Sequence, residues 1–434
     1  MKYNDSEQKR HLRQKYAERV RSMLVNRPEY LKKLIDSKHI NLIKVVTGIR
    51  RSGKSYLLDP LFTNHLKENG IDEEHIIKLD LDQLRNHKYH DPYRLDEYIR
   101  SKMIDDSMYY VILDEIQLVP NFESVLNGLL SINNVDVYVT GSNSKFLSTD
   151  IVTEFRGRSR QIRIYPLSFK EYYEATSLEK HEAYQQYIRY GGLPLLVSMR
   201  NEQDKAAYLK QLFDLTYFKD IVERNRVEKN DVLVSLTKII ASTIGSLTSA
   251  TKLTNTYKSQ GNHGLSINTV LSYLNYLEDS FLVENVQRYD VKGKRYIESN
   301  TKFYFTDIGL RNAILNFRQQ EENHIMENIV YLELVRRGYN VDVGIVEIRE
   351  NGSRKQLEVD FVCNQFQKRY YVQVSLNLDT QEKTIQETRP FRNIDDSFKK
   401  MIIVKDDIIP WITEDGVLVM GIVEFLLNPD SLNL

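Results

Sequence analysis

Gly48-Ile49-Arg50-Arg51-Ser52-Gly53-Lys54-Ser55 follows the apolar run LIKVVT and opens a helical stretch, YLLDPLFTNHLKENG. Those eight residues restrict the fold more than any others. They fit G-x-x-x-x-G-K-[ST], and the strand–loop–helix setting is the one this pattern requires. The glycines let the backbone turn so that successive N–H groups face a phosphate, and the helix N-terminus favours negative charge there. All eight are expected to cradle the phosphates of a nucleotide, ATP. Lys54 would reach the β- and γ-phosphates, and the Ser55 hydroxyl would ligate Mg²⁺.

The surrounding text supports that reading. Residues 42–47, 75–81, 109–114, 135–140 and 161–165 are short apolar runs separated by helical stretches. Strands with little in–out alternation, spaced by helices, indicate a parallel sheet covered on both faces. Val111-Ile112-Leu113-Asp114-Glu115 ends the third run. Asp114 is placed to hold Mg²⁺, and Glu115 to polarise an attacking water as general base. The next run ends Thr140-Gly141-Ser142-Asn143. Ligands of open α/β sheets bind outside the carboxyl ends of the strands, so Asn143, with Ser142 beside it, is expected at the γ-phosphate. In Phe155-Arg156-Gly157-Arg158 an arginine, Arg158 ahead of Arg156, would stabilise transition-state charge in cis or from a neighbouring subunit. A salt-bridged turn is the alternative.

Length suggests about three domains at roughly 150 residues each. No uncharged apolar run reaches the roughly 18 residues of a membrane helix, and the N-terminus is polar from its first residues, so neither a membrane span nor a secretory signal is expected. A single cysteine, Cys363, precludes an intramolecular disulfide and a cysteine metal cluster, which fits a reducing, cytoplasmic setting. Basic and acidic residues balance at 60 each, so net charge does not advertise nucleic-acid binding. Residues 1–40 nevertheless hold eleven Lys/Arg against five Asp/Glu. They read as a basic helix, either an arm for an acidic partner or a helix packed on the next domain.

The remaining segments set the domain plan: an N-terminal segment over 1–40, a phosphate-loop core over 41–165 and a tyrosine-rich helical region over 166–228. Helices and a strand–turn–strand ribbon over 229–310 suggest a winged helix, and a second α/β domain fills 311–434. NLIKVVTGIRRSGKSYLL, YYVILDEIQ, FRGRSRQIRIYPLSFKEYY, YGGLPLL, KFYFTDIGLRN, LEVDFV and YYVQVS together resemble the bacterial and archaeal AAA-type ATPases that carry a C-terminal domain of unknown function. The resemblance implies an AAA-type P-loop NTPase core, a helical lid, a winged helix and a restriction-endonuclease-like C-terminal α/β domain. It also implies that Pro194, in Gly192-Leu193-Pro194, lies near the adenine.

A nuclease core of that type needs an Asp and a Glu on Mg²⁺ and a Lys two residues beyond the Glu. Here Glu327 and Asp360 are followed by Gln373-Val374-Ser375, and Ser375 cannot supply the lysine's charge. Lys383 stands eight residues further on. An inactive version of the fold is expected. The candidate recognition helix, residues 266–278, has no Lys or Arg, although such residues make most DNA contacts. The ribbon is basic, with Arg288, Lys292, Lys294 and Arg295 interleaved with Tyr289 and Tyr296, and would grip a DNA backbone or pack on a protein. The chain is thus expected to be a Mg-ATP-dependent ATPase switch, with the oligomeric state and the protein partner left open. Two alternatives stand beside it: a nucleotide-bound regulator with negligible turnover, and an ATP-controlled nuclease.

Overall fold

A computed structural model describes residues 25–141, 155, 157–259, 261, 265–318 and 321–434. Ser142, Asn143, Arg156 and residues 1–24 of the basic helical segment expected over 1–40 lie outside the described residues, while its end holds the helix Pro28–Ile35. The chain divides into two compact units. One holds residues up to Pro166 with Leu193–Ser198 and Asp279–Phe281, and the other holds the rest.

The first unit is built on five parallel strands: β1 (Ile43–Thr47), β2 (Ile76–Asp80), β3 (Tyr109–Asp114), β4 (Val135–Gly141) and β5 (Ser159–Arg163). Their order is β2-β3-β4-β1-β5, all parallel. β4 is therefore the strand between the phosphate-loop strand and the Asp-Glu strand. Successive side chains point to opposite faces, and each face buries its own apolar layer, which is why these runs read as continuously hydrophobic. Tyr109, Val111 and Leu113 pack with Ile99, Phe122 and Leu126 on one side. Tyr110, Ile112 and Tyr138 pack with Tyr30, Leu34 and Phe62 on the other. β5 starts two residues earlier than its apolar run, because Ser159 and Arg160 already pair with Ile43 and Lys44.

The second unit carries helices and one eight-stranded sheet. β6 (Val283–Asp290) and β7 (Arg295–Phe305) form the expected hairpin. It is not a free ribbon. β6 also pairs in parallel with β8 (Asn340–Glu350), followed by β9 (Ser353–Gln365), β10 (Lys368–Ser375), β11 (Lys399–Val404), β12 (Trp411–Ile412) and β13 (Leu418–Gly421). The sheet order is β12-β13-β11-β10-β9-β8-β6-β7, so one sheet runs across the boundary expected near residue 310. Among the described residues, no helix is long and apolar enough to cross a membrane.

Candidate functional site

The carboxyl ends of β1, β3 and β4 meet at one edge of the first sheet. Gly48 leaves β1 at φ +141°, and a Cβ there would fall 2.2 Å from the Ile164 carbonyl oxygen, so only glycine lets the loop pass β5. Arg51 takes a left-handed φ of 64° and is exposed, while Ile49 and Ser52 are buried. Gly53 sits at φ +96° with open space around it, since a Cβ there would meet only Pro194 Cγ at 3.8 Å. A helical segment then opens at Lys54.

Lys54 is buried, and its Nζ donates to the carbonyls of Gly48 (3.0 Å) and Ile49 (3.2 Å). Burial pushes its ammonium down to about 8, against the opposing pull of Glu115 and Asp114. Asp114 accepts hydrogen bonds from the hydroxyls of Thr140 and Ser55, while burial raises its carboxyl above the ordinary range. Ser55 and Asp114 thus already converge on one point. Hydroxyl and carboxylate oxygens are the donors Mg²⁺ prefers, and the open cradle at Gly53 leaves room for phosphate, so the residues fit Mg-ATP.

Glu115 adopts φ 56° directly after β3, its N–H donating to Thr140 Oγ1 at 2.9 Å and its carboxylate accepting from the Gln117 amide. Thr140, absent from the residues expected at the site, therefore holds both acidic residues. The available signal was strand register, in which Leu113 lies opposite Val139 and the next pair brings Asp114 to Thr140. A second unforeseen residue is Arg27. It is buried, and its guanidinium donates to the Ser52 carbonyl (3.0 Å) and the Pro166 carbonyl (3.4 Å), bracing the phosphate loop from behind.

Arg158 does not join this constellation. It immediately precedes β5, whose Ser159 pairs with Ile43 at the start of β1, whereas the phosphate loop leaves the end of β1. At about 3.3 Å per residue the length of β1 separates the two, and Arg158 is exposed. The cis role expected for it does not fit this geometry.

The second unit has its own charged centre. Lys302 on β7 is buried, and its Nζ lies 2.8 Å from Glu327 Oε1, 2.7 Å from Glu358 Oε1 and 3.6 Å from Asp360 Oδ1. Tyr304 donates its hydroxyl to Glu327. An ammonium thus stands among the carboxylates expected to share a metal ion. Gln373 Oε1 accepts from the Asp360 N–H (3.3 Å), and Ser375 donates to the Asn377 carbonyl. Lys383 pairs with Glu387 at 2.6 Å rather than with Asp360. On the hairpin, Arg288 is buried and donates to Gln356 Oε1 (2.7 Å) and the Ser299 carbonyl (3.3 Å), so it is not available to DNA as expected. Lys292, Lys294, Arg295 and Tyr296 are exposed.

Comparison with known proteins agrees with the phosphate-loop geometry. A family model described as "AAA domain" matches residues 41–173, and one described as "Domain of unknown function (DUF8612)" matches residues 181–321. A Haemophilus influenzae protein named "Uncharacterized protein" is 33% identical over 415 residues, covering 93% of this chain and 99% of its own. A Methanocaldococcus jannaschii protein, also named as uncharacterized, is 30% identical over 338 residues, covering 74% and 72%. Among solved structures, a Walker-type ATPase of Pyrococcus abyssi matches with a TM-score of 0.48 at 16% identity, covering 67% of this chain and 96% of that one. With this identity along most of both relatives, the chain belongs to the family of the Haemophilus and Methanocaldococcus proteins, and its residues 41–173 are an AAA domain with the P-loop NTPase fold.

Proposed function

We propose that the protein is a Mg-ATP-dependent ATPase whose nucleotide state is read out by the second unit, which combines a helical lid, a winged helix and a nuclease-like α/β fold. The observation that carries this reading is the convergence of Ser55, Asp114, Glu115 and Lys54 on one loop edge. Lys54 would exchange its two carbonyl partners for the β- and γ-phosphates, and the loop N–H groups from Gly48 to Ser55 would cradle them. Mg²⁺ held by Ser55 and Asp114 would neutralise charge on the phosphate oxygens. Glu115 would take the proton of the attacking water, Asn143 would contact the γ-phosphate, and Pro194 would border the base.

The test is steady-state ATP hydrolysis beside Lys54→Ala. Truncating a buried charge partner costs 2 kcal/mol or more, so ATP affinity should fall at least about 30-fold. Turnover should fall with it; unchanged binding would sink the proposal. Adding duplex or single-stranded DNA to the same assay tests the exposed Lys292, Lys294 and Arg295, and stimulation by DNA would give them a phosphate-binding role. Turnover indifferent to DNA points to a protein partner.

Arg158, exposed at the far edge of the sheet, would act on a neighbouring copy in an oligomer. Arg158→Ala should then lower turnover by about 10³-fold or more. Mixing it with Lys54→Ala should restore part of the activity, because each variant supplies what the other lacks. No recovery in mixtures that do assemble would exclude the trans role.

One observation favours the slow-turnover regulator as a second reading: Gln117 engages the Glu115 carboxylate. The nuclease reading has the reverse support, since Lys302 stands where a metal would be needed.

A further inference from the structure

We propose that Asp307 is a positioning residue for the nucleotide site, transmitting displacement of Pro194 to the second unit through the Gly192 N–H. This rests on the ATP-binding reading above and extends it to residues far from the phosphates in sequence.

The chain passes from the second unit to the first at the Gly192–Leu193 bond. On the first side, Pro194 borders the phosphate loop at Gly53. On the other side, one short motif holds the backbone that leads into that bond. Asp307 Oδ2 accepts from the Gly192 N–H at 2.8 Å, and its Oδ1 accepts from the Leu310 N–H at 3.0 Å. Asn312 Nδ2 donates to the carbonyls of Ile188 and Arg189, both at 3.0 Å.

Packing closes the remaining space. A Cβ on Gly309 would fall 1.9 Å from the Tyr190 carbonyl oxygen, and one on Gly191, at φ +78°, would fall 2.3 Å from Asp307 Oδ1. The Gly192 carbonyl accepts from the Leu167 N–H at 2.7 Å. Backbone held on this many sides does not slide freely. A shift of Pro194, two residues on, therefore pulls on the Gly192 N–H and on the carboxylate that accepts it. That carboxylate also caps the helix Ile308–Ile314 and lies two residues beyond the end of β7, so the pull reaches the sheet.

Asp307→Asn tests this with little change of shape. An amide has one acceptor oxygen, so Asn can serve Gly192 or Leu310 but not both. Hydrogen exchange would be followed by mass spectrometry with and without Mg-ATP, in peptides covering residues 48–58 and 305–314. In the wild type, nucleotide should slow exchange in both, by at least about fivefold in the second, the lower end of ordinary allosteric coupling. In Asp307→Asn the first peptide should keep its protection and the second should lose its response.

A purely structural role would alter the unliganded exchange of 305–314 but leave its response to nucleotide, and that result would overturn the proposal. If Asp307→Asn does not fold, Pro194→Ala at saturating nucleotide decides the matter from the other end. It too should abolish the response in 305–314, and a response of wild-type size would refute the route. No protection of 48–58 in the wild type would count against ATP binding itself. Protection of 48–58 with no response in wild-type 305–314 would count against this inference alone.

Discussion

A Glu115→Gln variant is expected to bind Mg-ATP as the wild type does and to hydrolyse it about 10²–10⁴-fold more slowly, the usual contribution of a positioned general base. The substitution keeps the shape of the side chain. It also keeps the backbone N–H bond to Thr140 that fixes residue 115 at φ 56°, so Asp114 and the phosphate loop should stay in place. What is lost is an oxygen able to accept the proton of water. Nucleotide retained after desalting, together with single-turnover hydrolysis, separates the two effects. Full turnover in the variant would remove Glu115 from the mechanism. Slow hydrolysis that is the same in variant and wild type would point to the regulator instead, with Gln117 holding the carboxylate out of use.

The second large effect is expected in the second unit. Lys302→Met should lower the unfolding free energy by about 3–5 kcal/mol, the cost of leaving a buried charge without its partner. Glu327 and Asp360 are both buried, and Glu358 is half-buried. Burial alone would lower the Lys302 ammonium, but Glu327, Asp360 and Glu358 outweigh it and hold the group well above the ordinary lysine range. Because its folded value is raised, the stabilisation from Lys302 is fully present below the ordinary lysine range and is lost only above it.

In the variant the sign reverses. Carboxylates without a cation are easier to protonate in the folded state, so the deficit should be largest at neutral pH and shrink on acidification. Urea unfolding at pH 5 and pH 8 would show this. An equal deficit at both values would mean that lost packing, not charge, sets the cost.

The nucleotide module was legible because its signal is local. The phosphate loop and the Asp114-Glu115 pair are runs of adjacent residues that can be picked out by their spacing, and the continuous apolar strands announced a sheet buried on both faces. Thr140, Arg27 and Lys302 were not legible for the opposite reason. Each acts on residues at least 25 positions away, and the meeting depends on strand register or on where the chain returns.

Arg288 shows a different limit. Read by charge it belonged to a basic wing, yet Val286, Arg288 and Asp290 share the inward face of β6. The two-residue period of a strand outranked the composition of the ribbon. The hairpin itself was anticipated, but its pairing with β8 was not, because parallel partners separated by a long connection leave no mark in either strand.

Arg27 bears on how the nucleotide module can be isolated. The similarity to AAA domains begins at residue 41, and a fragment cut there would look complete by homology. It would lack the guanidinium that reaches the Ser52 and Pro166 carbonyls, along with Tyr30 and Leu34 from one apolar layer of the sheet. The smallest piece that can keep its phosphate loop in shape therefore starts upstream of Arg27, and weak nucleotide binding by a shorter one would report the cut rather than the protein.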